Sequence, residues 1–328
     1  MNVLVTGAAG FIGSHVVEHY LNKGYKVIGF DNLISGTLRN LEFAKDNKNF
    51  SFYQIDIRDR DKLFEYFFNV DILIHAAALA DIVPSITNPV NYFETNVTGT
   101  LNIMEYCKAA KVKKIIYIAS SSCYGIPSTY PTPEYADISP EYPYALTKYL
   151  GELVALHWSK VYKIPVISLR LFNVYGPRAR TNSNYGAVLG VFLAQKIANK
   201  PLTIVGDGDQ SRDFTHVADV VRAIDAAAVT NKKGIYNVGS GKTYKIKYLA
   251  SLISEWYVNI PKRPGEPNCT FADISKIGEE LNWTPSVSLE MGVADLLNDL
   301  SSWNEAPVWT PEAIQIATKE WFKYLGEQ

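Results

Sequence analysis

A short apolar run breaks into spaced glycines at the very start of the chain, Val5-Thr-Gly-Ala-Ala-Gly-Phe-Ile-Gly13, and this feature narrows the possible folds more than any other. Met1-Asn-Val-Leu-Val5 reads as a strand. Ser14-His-Val-Val-Glu-His-Tyr-Leu-Asn22 carries apolar side chains at 16, 17, 20 and 21, the spacing of one helix face. A strand, a glycine turn and a helix in that order build an anion cradle, because the helix N-terminus offers free N–H groups and the positive end of its dipole. Gly7, Gly10 and Gly13 serve the tight turn, close approach of backbone to a pyrophosphate, and close helix-to-strand packing. Gly7 stands one place earlier than in the common G-x-G-x-x-G spacing, with Ala8 where that pattern has glycine. A second strand, Lys26-Val-Ile-Gly-Phe30, ends in Asp31, 18 residues beyond Gly13. A carboxylate there accepts hydrogen bonds from a ribose 2′-OH and repels a 2′-phosphate, so the expected cofactor is NAD rather than NADP.

Strand-like runs continue at 50–55, 70–75, 114–119 and 166–170, with helical segments near 60–68, 91–110 and 144–162. That alternation predicts an α/β fold, a doubly wound parallel sheet covered on both faces. Ligands of such sheets sit beyond the carboxyl ends of the strands, where Gly7, Asp31, Asp56, Ala77, Ser120 and Asn173 fall. After about residue 171 the pattern loosens into Gly/Pro/Asp turns. We expect a Rossmann-like domain over 1–170, with return segments around 210–235, and a smaller α/β substrate lobe over 171–328. Near the end, Thr310 and Pro311 read as the cap and first position of a helix whose aromatics serve packing.

The 328 residues are 47% hydrophobic with a net charge of −1, enough apolar content for two lobes and no basic block to attract nucleic acid or an anionic membrane. Cys107, Cys123 and Cys269 fit neither a disulfide framework nor a zinc site, so a reducing cytoplasm is expected. The five histidines have no ligand spacing, and no metal is expected. The first strand leaves no room for a leader peptide, and no apolar run reaches the roughly 20 residues of a membrane span.

Tyr144 and Lys148 lie four apart on a predicted helix, 24 residues after Ser120, and therefore share one face. A nearby ammonium favours the phenolate and brings a phenol with a reference pKa of about 10 within reach of general-base work near neutral pH.

Together these residues resemble the extended branch of the short-chain dehydrogenase/reductase superfamily, the nucleotide-sugar epimerases and dehydratases. The motifs run over nearly the whole chain: Thr6 to Gly13, Asp56-Ile-Arg58, His75-Ala-Ala-Ala78, Asn96-Val-Thr-Gly-Thr100, Ser120-Ser-Ser-Cys-Tyr-Gly125, Tyr144 to Lys148, Arg170 to Pro177, Gly206 to Val217, and Arg263-Pro-Gly-Glu266 with Ala272-Asp273. The resemblance implies a nucleotide diphospho-sugar substrate and a homodimer formed through two helices per subunit. It implies that Ser120 binds the sugar 4-oxygen, Tyr144 takes its proton and Lys148 binds the nicotinamide ribose. It places NAD against Gly7, Gly10, Phe11, Ile12, Gly13, Asp31, Asn32, Asp56, Ile57, Ala77, Ala78, Asn96, Tyr144, Lys148 and Phe172. It places substrate against Ser122, Asn173, Val188, Thr203, Arg212, Arg263 and Thr270, and two arginines suit a diphosphate because guanidinium groups meet phosphates bidentately.

Dehydratases of this resemblance carry acidic residues where Ser121 and Ser122 stand, and an unperturbed hydroxyl cannot replace a carboxylate acid/base. The implied reaction is 4-epimerisation by transient oxidation at C4 with tightly held NAD, the alternatives being an NDP-sugar 4,6-dehydratase or a UDP-glucuronate 4-epimerase. Cys123, directly before Tyr124, is expected to be structural. The serine triplet resembles epimerases of UDP-N-acetylhexosamines, and Thr270, intermediate in size, leaves UDP-glucose, its N-acetyl form and uronates open. Val188 stands where hexose epimerases often carry Asn.

Overall fold

A computed structural model describes residues 1–62, 64–179 and 187–326. Seven parallel strands form one sheet: β1 (Asn2–Thr6), β2 (Lys26–Asp31), β3 (Phe50–Gln54), β4 (Ile72–His75), β5 (Lys114–Ser120), β6 (Val166–Leu171) and β7 (Gly234–Val238). Their order is β7-β6-β5-β4-β1-β2-β3. The chain thus leaves β1 in one direction towards β3 and in the other towards β7, and the reversal opens a crevice beside β1 and β4.

Helices α1 (Phe11–Asn22), α2 (Thr100–Ala109), α3 (Pro143–Tyr162) and α4 (Val217–Val229) cover the two faces. On one face Val16, Val17 and Tyr20 of α1 pack with Val220, Ala223 and Ile224 of α4. On the other, Ile103, Met104 and Cys107 of α2 meet Ala155 of α3 over Leu4, Leu73 and Ile115. Both faces of each central strand are therefore buried, which is why β1, β4, β5 and β6 read as near-continuous apolar runs. Each fully buried aliphatic side chain contributes about 1.5–3 kcal/mol. His75 ties the layers: its ring bonds Thr6 Oγ1 at 2.6 Å and Thr100 Oγ1 at 3.0 Å, and burial holds its pKa down to about 3, so it stays neutral.

The expected strands and the helix near 144–162 match these bounds closely, and the helix after the glycine turn begins at Phe11 rather than Ser14. The helix expected at 60–68 is two 3₁₀ turns, Arg60–Lys62 and Phe64–Phe67, with Leu63 outside the described residues. The segment expected at 91–110 contains a π-helical turn at Glu94–Gly99, a distortion common at functional sites. β7 carried no clear signal, because Gly234-Ile-Tyr-Asn-Val238 has neither a long apolar run nor strict alternation; pairing with β6 determines it.

The C-terminal lobe has its own core, in which Phe192, Leu202, Ile204, Leu249, Val293 and Trp303 pack together. Strand Leu202–Val205 pairs in parallel with Tyr257–Ile260, and Ser211–Arg212 pairs antiparallel with Tyr244–Lys245. In the tail Thr310 caps the helix Pro311–Ala317 by accepting from Ala313 N, and a second helix spans Lys319–Leu325. Among the described residues no helix is long and apolar enough to cross a membrane.

Candidate active site

One cavity of about 660 Å³ runs from the glycine turn, past the carboxyl ends of β1, β4 and β5, into the C-terminal lobe. At its first end Gly7 has φ +72°, and a Cβ there would lie 2.8 Å from Ala77 N; a Cβ on Gly13 would lie 1.9 Å from Gly7 O. Only glycine lets turn, helix and the β4 loop approach this closely. Gly10, Phe11, Ile12, Asp31, Asn32, Ile57, Ala77 and Ala78 line the same end.

Asp31 is buried and its carboxylate accepts from Ala9 N at 3.0 Å and Leu33 N at 2.8 Å, so it braces the turn as well as facing the cavity. Burial raises its pKa, against the pull of the Leu33, Ala9 and Gly10 N–H groups. A turn with no room for a Cβ at Gly7 or Gly13, open to an anion and closed by a buried carboxylate, fits a dinucleotide.

Three of the expected NAD residues do not line the cavity. Asp56 faces Arg58 and Asn32, accepting from Arg58 Nη2 at 2.7 Å and Asn32 Nδ2 at 2.9 Å, and the Arg58 hydrogen bond lowers its pKa to about 2; Ile55 and Ile57 form the wall there. Asn96 is buried in the π-helical turn, where it donates to Leu79 O and Thr147 Oγ1 and accepts from Leu79 N at 2.8 Å. It shapes the loop after β4. Phe172 packs behind the site with Cys123, Tyr124 and Ala272.

Midway along the cavity Tyr144 OH donates to Ser120 Oγ at 3.2 Å, and Ser120 Oγ lies 2.8 Å from Ser122 Oγ. Lys148 lines the same wall one turn further along α3. Its Nζ, however, donates to Ile118 O at 2.5 Å and sits 4.7 Å from the Tyr117 ring. The expectation that the ammonium holds the phenol's pKa down is therefore corrected. Burial raises the Tyr144 pKa, the Ser120 hydrogen bond opposes that, and Asp81 raises it further. Burial also brings Lys148 down to about 8. Because the Asp81 charge disfavours the phenolate, Asp81→Asn is expected to move the acidic limb of the kcat/KM–pH profile to lower pH; an unmoved limb would show that Asp81 does not act on the base.

Beyond Tyr144 lie Asn173, Val188, Thr203, Arg212, Arg263 and Thr270, all on the cavity wall. Asn173, at φ 28°, donates to Thr270 Oγ1 at 2.7 Å and Asp213 O at 3.1 Å, which stitches the end of β6 to the second lobe. Arg263 Nη1 meets Glu266 Oε1 at 2.9 Å, and Arg212 Nη2 lies 3.8 Å from Glu266 Oε2. Two guanidinium groups thus converge on one carboxylate inside the cavity.

Cys123 is buried, with its thiol pushed up to about 12, which suits a packing role and not a nucleophile. His15 bonds Pro177 O at 2.9 Å, and His19 Nε2 lies 3.3 Å from the Asp225 carboxylate. The cavity wall also includes Asp81, Glu141, Tyr142 and Trp321, which the sequence did not single out. The one available signal was the Glu-Tyr-Pro run directly before Tyr144.

Residues 3–239 match the family model described as the NAD dependent epimerase/dehydratase family. A UDP-glucuronate 4-epimerase of Thermodesulfobacterium geofontis is 36% identical, with 95% of this chain and 97% of that protein covered. Among solved structures, the UDP-glucose 4-epimerase of Thermotoga maritima with UDP-glucose superposes with a TM-score of 0.85 at 33% identity, covering 93% of this chain and 98% of that one. The UDP-N-acetylglucosamine 4-epimerase of Methanobrevibacter ruminantium, in complex with UDP-N-acetylmuramic acid, superposes with a TM-score of 0.85 at 33% identity, covering 90% and 98%. With a glycine cradle that fits a dinucleotide, a Ser–Tyr–Lys wall and this breadth of likeness, the chain belongs to the NAD dependent epimerase/dehydratase family.

Proposed function

We propose that this chain is a UDP-sugar 4-epimerase acting on a neutral hexose or N-acetylhexosamine. The observation that carries this reading is the hydrogen-bonded Tyr144–Ser120 pair in one cavity with the converging Arg212 and Arg263. The relatives named above are 4-epimerases of three different UDP-sugars, and the reaction shared among them is inversion at C4.

NAD bound between Gly7, Gly13 and Asp31 supplies a reversible hydride acceptor at the sugar's C4. Ser120 holds the C4 oxygen and Tyr144 takes and returns its proton. Lys148 binds the nicotinamide ribose. Arg212 and Arg263 grip the diphosphate, exchanging Glu266 for phosphate oxygens. A firm hold on the diphosphate and a loose one on the hexose let the 4-keto sugar present its other face.

Hydroxyls at Ser121 and Ser122 supply no acid/base for elimination. Among the described residues the cations on the cavity wall are Lys148, Arg212 and Arg263, while Asp81 and Glu141 line it near Tyr144; that balance favours an uncharged C6 over a uronate. The test is NMR of the C4 proton with UDP-glucose, UDP-N-acetylglucosamine and UDP-glucuronate. Inversion of the neutral sugars is expected. A stable 4-keto-6-deoxy product from a nucleotide-linked hexose would overturn the reading in favour of a dehydratase.

We also place the enzyme in a reducing cytoplasm, which suits three free thiols. It works as a homodimer: Val90 and Phe93, with Leu146 and Leu153 of α3, form an exposed apolar face beside an open groove, and sedimentation at twice the chain mass is expected.

A further inference from the structure

The last helix, Lys319–Leu325, packs against helix Ile82–Thr87 of the opposite lobe, and its Trp321 is buried at the cavity wall. Three neighbours converge on this indole. Its Nε1–H donates to Pro264 O at 2.8 Å. The Arg263 guanidinium lies over its ring, 5.4 Å from the centroid. The Tyr142 ring stands 6.4 Å away, and Tyr142 itself stacks on Tyr144 at 6.3 Å with 10° between the planes. Trp321 is thus the physical link between the arginine end of the cavity and the tyrosine end.

We propose that Trp321 is a positioning residue, which sets the Arg263 loop for a diphosphate. The inference rests on the UDP-sugar reading above and deepens it. It follows from the geometry of the loop. Pro264 is fixed through its carbonyl by the indole, and the cation–π contact fixes the plane of the guanidinium, which bidentate recognition of phosphate requires. Glu266, two residues on, reaches both arginines and shares that support.

Calorimetry with UDP and UMP on the NAD-loaded protein, wild type against W321A and W321F, tests this. W321A is expected to weaken UDP binding about tenfold, the scale of a desolvated cation–π contact with a hydrogen bond, while UMP changes less than about twofold. KM for the epimerised sugar rises by a similar factor, and W321F recovers most of the UDP affinity because it keeps an aromatic face under Arg263. UDP affinity unchanged in a W321A that melts with wild type overturns the proposal. Equal losses for UDP and UMP, with loss of bound NAD, overturn it too, since they mark a structural role only. Should W321A fail to fold, W321L replaces it, and it must lose the UDP affinity that W321F keeps. A wild type that epimerises no UDP-sugar, yet whose W321A separates UDP from UMP as described, supports Trp321 as the positioner of Arg263 while refuting the 4-epimerase reading.

Discussion

Tyr144→Phe is expected to lower kcat by about 10²- to 10⁴-fold, the range that a positioned general acid/base contributes. KM for the UDP-sugar should change little, because the diphosphate grip proposed for Arg212 and Arg263 lies further along the cavity wall, away from the Tyr144 hydroxyl. The substitution removes one hydroxyl and its 3.2 Å bond to Ser120 and leaves the ring stacked on Tyr142, so the fold and the bound NAD should survive. Ser120 then keeps its partner Ser122 at 2.8 Å, and no buried polar atom is orphaned. The expected signature is a large fall in kcat with unchanged NAD absorbance and melting temperature. A kcat within about threefold of wild type would mean that another group moves the proton. The pH behaviour of the wild type is part of the same argument. Burial raises the Tyr144 pKa in the protein alone, so the activity should rise with pH on its acidic limb as the phenolate forms.

Spacing carried the geometry of this site further than its electrostatics. Tyr144 and Lys148 share a wall because they are four apart on α3, a fact of helix geometry. Whether the ammonium tunes the phenol depends on where Nζ finds an acceptor, and the carbonyl of Ile118, supplied by β5, is invisible to local pattern. Gly7 and Gly13 were legible because a missing Cβ leaves its mark in the sequence, and Arg212 and Arg263 because their motifs are distinctive. Asp56 shows the reverse. Its motif was clear, but Arg58, two residues away, claims the carboxylate and leaves the wall to Ile55 and Ile57. Trp321 was read as packing, which is half of its role. Its contact with Arg263 joins residues 58 apart in sequence, and only the folded chain brings them together. β7 was missed for the same reason, since its strand identity comes from the edge of β6.

The second large effect concerns stability and lies beneath the Ser120 turn. Arg170 of β6 and Glu152 of α3 are 3% and 1% exposed, with Arg170 Nε 3.1 Å from both carboxylate oxygens. Ser168 Oγ adds a bond to Glu152 Oε1 at 3.0 Å. Arg170 Nη1 in turn donates to Tyr124 OH at 2.9 Å, and Tyr124 OH donates to Asn237 Oδ1 of β7 at 2.7 Å. This chain fixes the end of the turn that carries Ser120 and Ser122. Glu152→Ala would leave a guanidinium buried without its counter-charge, and breaking such a pair costs about 3–5 kcal/mol, against about 0–1 for an exposed one. We expect a loss of that size in urea unfolding at pH 7, together with a lower kcat as the Tyr124 anchor loosens. The double variant E152L/R170M, which removes both charges, should be more stable than E152A, because no uncompensated ion remains even though the Tyr124 bond is lost. A loss below about 1 kcal/mol in E152A would mean that water reaches Arg170 and that the pair does not hold the turn.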